Sequence, residues 1–312
     1  MSGLLPWQRA AFATYAQRRR GGRLPHAWAV TGPTGTGPAE LAAAIAASLL
    51  CLTPTAGGEA CGQCAGCALR LSGNHPDLSR IGVLEKKKQI GIDQIRSASA
   101  SLSSRPQRGG WQLLIVDPAD AMNGAAQNAL LKTLEEPASD TVLLLVAHDV
   151  GRLLPTIRSR CQRLDLMQPD ADTSLAWLGT QGVSAAEAAE ALALLDAGPL
   201  ALLGAIRDGR LATLKQQLDV LLGLTQGRVG IAEARRQLGE PDTALQNLPQ
   251  LSALWTRPRD AARWPAWAEV AARDPVRASR LAQAAVDARR QLGSGLSADA
   301  LLVSWLGLLA RG

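Results

Sequence analysis

Four cysteines, Cys51, Cys61, Cys64 and Cys67, fall in the pattern C-x9-C-x2-C-x2-C. Four thiolates can close the tetrahedral shell of a zinc ion, and two-residue spacers suit the tight turns of structural zinc sites. The set needs no histidine or carboxylate and leaves no open position. The expected cofactor is therefore a structural Zn2+ held by these four residues; the alternative is four free thiols in a loop. Cys161 stands apart and is expected to be a small buried hydrophobe.

A second stretch with chemical potential is Gly32 to Glu40, GPTGTGPAE. It follows an apolar run and precedes a helical one, the place of a phosphate-binding loop. Gly32, Gly35 and Gly37 are kept, but the lysine and hydroxyl that such a loop needs for phosphate and magnesium are replaced by Pro38 and Ala39. The alternative is an ordinary tight turn. Asp117 ends the run WQLLIVD where a magnesium-holding aspartate would stand, yet Pro118 occupies the place of the water-polarising glutamate. Arg160 is the third piece. Beside a strand edge it could be only a solvated charge, but its rigid fork suits a γ-phosphate, including one held by a neighbouring subunit.

The elements that must position these groups alternate. Residues 4 to 20 read as an amphipathic helix, 27 to 31 as a buried strand, and 41 to 50 as a helix; the cysteine-rich insertion, 51 to 67, follows. Strands are expected at 78–83, 111–116, 142–147 and 162–166, with helices at 92–104 and 122–135. Continuous apolar strands alternating with helices predict a parallel sheet covered on both faces. From 170 onward only alanine- and leucine-rich helical segments occur, broken at Gly182, Gly198-Pro199, Gly209, Gly227, Pro258, Pro265, Pro275 and Gly293.

The length of 312 residues allows two or three domains, and scarce aromatics favour helices over an all-β fold. A net charge of +6 is compatible with a nucleic-acid-associated role without being diagnostic. Lys86, Lys87 and Lys88, with Arg257, Arg259, Arg263, Arg273, Arg277 and Arg280, offer charge that solvated faces also carry. No 18-residue apolar span occurs and the N-terminus lacks a signal-peptide core, so a cytoplasmic protein with no membrane partner is expected.

Several stretches together resemble the clamp-loader AAA+ family of bacterial DNA polymerase III, most closely its delta prime branch. They are LPHAW at 24–28, the eroded loop, CGQCAGC, NHPDL at 74–78, QIGIDQIR at 89–96, NALLKTLEEP at 128–137 and TIRSRC at 156–161. The resemblance covers about the first 165 residues well and the remainder in layout only. It implies α/β plus all-α architecture: a RecA-like AAA+ domain at 1–168 carrying the zinc insertion, a helical lid at 169–208, and a helical collar for oligomerisation at 209–312.

It also implies an ATPase-dead stator in a hetero-oligomeric ring with gamma/tau motor subunits and delta. That ring loads the beta sliding clamp on primed DNA, and Arg160 would act as an arginine finger in trans. ATP is not expected to be hydrolysed by this chain: the small polar residue of the first sensor aligns with His148-Asp149, and the second sensor arginine is missing from Gly198 to Ala201. Two rival readings are a stand-alone unconventional AAA+ ATPase and a zinc-dependent nucleic-acid-binding module.

Overall fold

The structure, a computed structural model, describes residues 3–102, 105–254, 272, 274–292 and 294–310. Ser103 and Ser104, the arginines 257, 259, 263 and 273, and the expected breaks at Pro258, Pro265 and Gly293 lie outside the described residues. The chain forms two compact units, Met1–Ser174 and Leu175–Gly312.

The first unit is built on five parallel strands, β1 (Ala27–Thr31), β2 (Leu78–Ile81), β3 (Gln112–Val116), β4 (Thr141–Ala147) and β5 (Gln162–Asp165), in the order β2-β3-β4-β1-β5. Every residue of β1, β3 and β4 is buried, whereas the edge strands β2 and β5 are partly exposed. Strand side chains alternate between two cores. Trp28, Val30, Leu113, Ile115, Leu144 and Val146 pack on one face with α1 (Arg9–Arg20) and α2 (Pro38–Leu50). Ala27, Ala29, Leu114, Val116, Leu143 and Leu145 pack on the other with α4 (Ile92–Ser101) and α5 (Gly124–Glu135). Two covered faces are the reason the strands read as unbroken apolar runs. This is the expected RecA-like arrangement.

Element boundaries differ from the sequence reading in instructive places. The first helix is preceded by a separate 3-10 turn at Pro6–Gln8, because Gln8 turns inward to hold the loop after β1 instead of continuing an amphipathic face. α5 begins at Gly124, because the Asn123 side chain caps it by accepting from Ala126 N at 2.8 Å. The strand expected to reach 83 ends at Ile81. The cysteine-rich insertion contains a helix, α3 (Ala65–Leu71), whose N-cap is Cys64.

One buried hydroxyl ties three segments of this unit. Ser48 Oγ on α2 accepts from Tyr15 Oη at 2.9 Å and Arg19 Nη1 at 2.7 Å, both on α1, and donates to Gly58 O in the insertion. Burial pushes the Tyr15 hydroxyl above its ordinary pKa, so it stays a neutral donor.

In the second unit the described elements are all helical. They are α7 (Ala171–Thr180), within which the unit begins, α8 (Ala185–Leu194), α9 (Pro199–Arg207), α10 (Arg210–Thr225), α11 (Ile231–Gln237), α12 (Pro241–Ala253), α13 (Pro275–Arg290) and α14 (Ala298–Ala310). A single core cluster runs from Leu178 to Leu309. Within it Asn247 donates to Gln217 Oε1 at 2.9 Å and Gln217 donates to Leu238 O at 3.1 Å, so these buried amides are satisfied. Among the described residues no single helix is long and apolar enough to cross a membrane.

Replacing the Ser48 hub tests how firmly the insertion is tied to the sheet. Ser48→Ala removes the hydroxyl to which Tyr15 and Arg19 both donate, leaving Tyr15 only Arg19, and is expected to cost about 1–3 kcal/mol in denaturant unfolding, whereas Tyr15→Phe, which leaves Ser48 bonded to Arg19 and Gly58, costs less.

Candidate functional site

The four cysteines converge. Cys51 terminates α2, Cys61 lies in the loop beyond it, Cys64 caps α3 (the helix Ala65–Leu71) and Cys67 sits in its first turn. All four Sγ atoms lie within 4.8 Å of one another, with Cys51 to Cys64 at 3.8 Å and Cys61 to Cys67 at 4.0 Å. A tetrahedral ion with metal–sulfur bonds of about 2.3 Å requires sulfur–sulfur edges of about 3.8 Å, so the group could hold a metal ion as it stands.

Backbone amides support the sulfurs. Cys61 N donates to Cys51 Sγ at 3.2 Å, Leu52 N and Cys67 N to Cys64 Sγ at 3.4 Å, and Gln63 N and Cys64 N to Cys61 Sγ at 3.4 Å. The Thr53 hydroxyl adds a bond to Cys61 Sγ at 3.3 Å and, with those amides, draws the Cys61 thiol down to about 6. Cys64 is lowered chiefly by the Cys67 amide, while burial pushes Cys67 up to about 12. Gly66 is required by packing: a Cβ there would stand 2.2 Å from Leu50 O, so only glycine lets α3 lie against the end of α2. Cys161 is buried apart from this group, and burial pushes its thiol to about 12, an inert apolar site as expected.

The loop after β1 has glycines in special conformations and lacks the lysine and hydroxyl of a phosphate-binding loop. Gly35 and Gly37 take left-handed conformations, φ 82° and 83°. At Gly32 a Cβ would meet Thr36 Oγ1 at 2.6 Å. The loop is braced from outside: Trp7 Nε1 donates to Thr36 O and Gln8 Nε2 to Gly37 O, each at 2.7 Å. Pro38 fills the first helical position and is buried. It removes the lysine and also the backbone N–H that this helix end would aim at a phosphate. Asp117, at the end of β3, is half-buried, and burial raises its pKa; His148 opposes that rise and Glu40 adds to it. The nearby charges thus include Glu40 in the first turn of α2 and, opposing the rise, Arg80.

Arg160 lies elsewhere. It follows the short α6 (Pro155–Arg158) and precedes β5 by two residues. Because Trp28 pairs with Gln162 in parallel register, Arg160 enters at the amino-terminal rim of the sheet, while the 32–37 loop leaves at the carboxyl-terminal rim. Five residues of β1 at about 3.3 Å each put roughly 16 Å between the rims. The guanidinium donates to Glu135 Oε1 from Nη2 at 2.7 Å and to Thr156 O from Nη1 at 3.1 Å.

Two features escaped the sequence reading. Ile90 and Met122 form a lone parallel bridge that sets the N-termini of α4 and α5 side by side. Beside them opens a cavity of about 710 Å3 lined by Lys87, Lys88 and Arg152 with Gln89, Asn123 and one carboxylate, Asp93. Gln127 on α5 is buried; it donates to Met122 O and Arg152 O and accepts from Leu154 N at 2.8 Å, fixing the segment that leads to α6. The lysine run was visible in the sequence, but a one-residue bridge and a buried glutamine leave no periodic signal.

Residues 7–170, just over half of the chain, match the family described as DNA polymerase III, delta subunit. A protein from Pseudomonas aeruginosa named DNA polymerase III subunit delta' is 44% identical over 201 residues, covering 64% of this chain and 60% of that one. The protein of the same name from Escherichia coli is 35% identical over 193 residues, 62% of this chain and 58% of that one. The alignments thus span less than two thirds of either relative. A solved DNA polymerase III gamma subunit-related protein from Thermotoga maritima aligns over 99% of both chains with a TM-score of 0.52 at 18% identity, a likeness of fold.

Two outcomes follow from the cysteine geometry. Gly66→Ala pushes α3 away from Leu50 and separates Cys64 and Cys67 from Cys51, so metal retention against a chelator is expected to fall while the sheet unit still folds. Metal binding must also displace protons, most of all from Cys67, so apparent affinity in a chelator competition weakens steadily as pH is lowered.

Proposed function

The chain belongs to the DNA polymerase III delta subunit family, and from that premise we propose that it is the delta prime subunit of the clamp loader, an ATPase-dead stator that supplies Arg160 to a neighbour's nucleotide. One observation carries this reading: the eroded loop and Arg160 occupy opposite rims of one parallel sheet. An arginine side chain cannot cross that separation, so Arg160 has no use for a nucleotide held by its own chain. In a closed ring, the amino-terminal rim of one subunit can face the nucleotide of the next.

The local chemistry agrees with this division of labour. Pro38 and Ala39 remove the phosphate lysine and the magnesium hydroxyl, and Pro118 replaces the base. Without these groups no charge compensation or water activation is available in cis. Arg160, by contrast, keeps free N–H donors and is partly exposed.

On this reading 1–168 is the AAA+ domain, 169–208 the lid and 209–312 the collar through which the ring assembles with gamma/tau and delta. The metal is zinc, chosen by a closed shell of four thiolates, and its role is structural. The cationic cavity at the paired N-termini of α4 and α5 suits backbone phosphates, which would let the ring follow primed DNA without reading its sequence while the sliding clamp is loaded.

Arg160→Ala tests the trans role. In the reconstituted ring, with clamp and primed DNA present, turnover at the one site it serves is expected to fall on the order of 10³-fold, so the ring loses that site's share while assembly is kept. Unchanged ATP turnover in an assembled ring would contradict it.

A further inference from the structure

Arg160 does not project freely from its turn. Two of its N–H donors are held inside the chain, Nη2 by Glu135 Oε1 at 2.7 Å and Nη1 by Thr156 O at 3.1 Å. A guanidinium has five such donors in a fixed plane, so holding two of them leaves the others with a set direction. The side chain remains 36% exposed, enough to meet an incoming group without leaving its anchors.

The anchor is itself fixed. Glu135 is the last residue of α5. The residue before it, Leu134, is buried, and its carbonyl is bonded to His26 Nε2 at 3.1 Å. His26 in turn accepts Leu143 N of β4 at 2.8 Å through its own carbonyl, just ahead of β1. The carboxylate therefore stands on a helix end pinned to the middle of the sheet. A carboxylate at a helix C-terminus opposes the helix dipole, so helix stability does not explain it; its pairing with Arg160 does.

We propose that Glu135 is the positioning residue for Arg160: it holds the guanidinium in the plane and direction in which a neighbouring subunit's phosphate meets it. The proposal rests on the trans role of Arg160. It assigns to Glu135 an effect that passes through Arg160, the side chain its carboxylate holds. Glu136, the adjacent carboxylate, is exposed and supplies the control for net charge.

The experiment measures ATP turnover by the complete clamp-loader complex with clamp and primed DNA, comparing Glu135→Ala, Glu135→Gln and Glu136→Ala, each with and without Arg160→Ala. With Arg160 present, both Glu135 variants are expected to lower kcat at the served site roughly two- to fivefold, the range set by one exposed ion pair, with KM for ATP unchanged. Glu136→Ala changes nothing, and on the Arg160→Ala background the Glu135 variants have no further effect. Glu135→Gln keeps the side-chain volume and covers the case in which the alanine variant assembles poorly. A loss of equal size without Arg160 would mark Glu135 as merely structural and overturn the proposal. So would unchanged or raised turnover when Arg160→Ala itself lowers it. A silent Arg160→Ala would remove the trans role and this proposal together.

Discussion

A parallel sheet has two chemically different rims, and the arrangement of this chain follows from that constraint. Loops leaving the carboxyl ends of the strands gather at one rim, where the 32–37 loop, Asp117 and the cationic cavity beside α4 and α5 are found. Segments entering the amino ends gather at the other, where Arg160 precedes β5 and Glu135 ends α5. The register of β1 with β4 and β5 fixes both rims rigidly. Arg160 on the amino-terminal rim is therefore kept away from the 32–37 loop by the fold, whatever the state of that loop.

Stability and chemistry are separated in the same way. The loop at 32–37 is held by Trp7 and Gln8, so its backbone is braced without any contact to a phosphate. The cysteine module stands at the end of α2 and is tied back to α1 through Ser48. A metal in that module would fix the end of α2 and the start of α3 relative to each other. It lies off the 32–37 loop, so a metal held there would act on shape.

The sheet was legible because both of its faces are covered: β3 and β4 had to be continuous apolar runs, and turn residues bounded them. The convergence of the four cysteines was legible because short, regular spacing is what brings thiols into one cluster. What could not be read was non-local. Glu135 and Arg160 are far apart in sequence and meet only because α5 and α6 end on one rim. Gln127 looks like a surface residue of an amphipathic helix yet is buried by the segment it holds. α3 is too short for a helical period, and its cap is a cysteine already assigned to the metal.

The central claim is that this chain has given up nucleotide hydrolysis in cis and keeps a structure suited to serving it in trans. The most direct measurement is phosphate release from ATP by the purified chain alone, set beside the same amount of chain assembled with the proposed gamma/tau motor subunits. The account predicts no turnover by the chain alone, with and without DNA, and turnover only in the assembly. Sustained hydrolysis by the isolated chain would contradict it, since neither Pro38 nor Pro118 offers a group able to perform it.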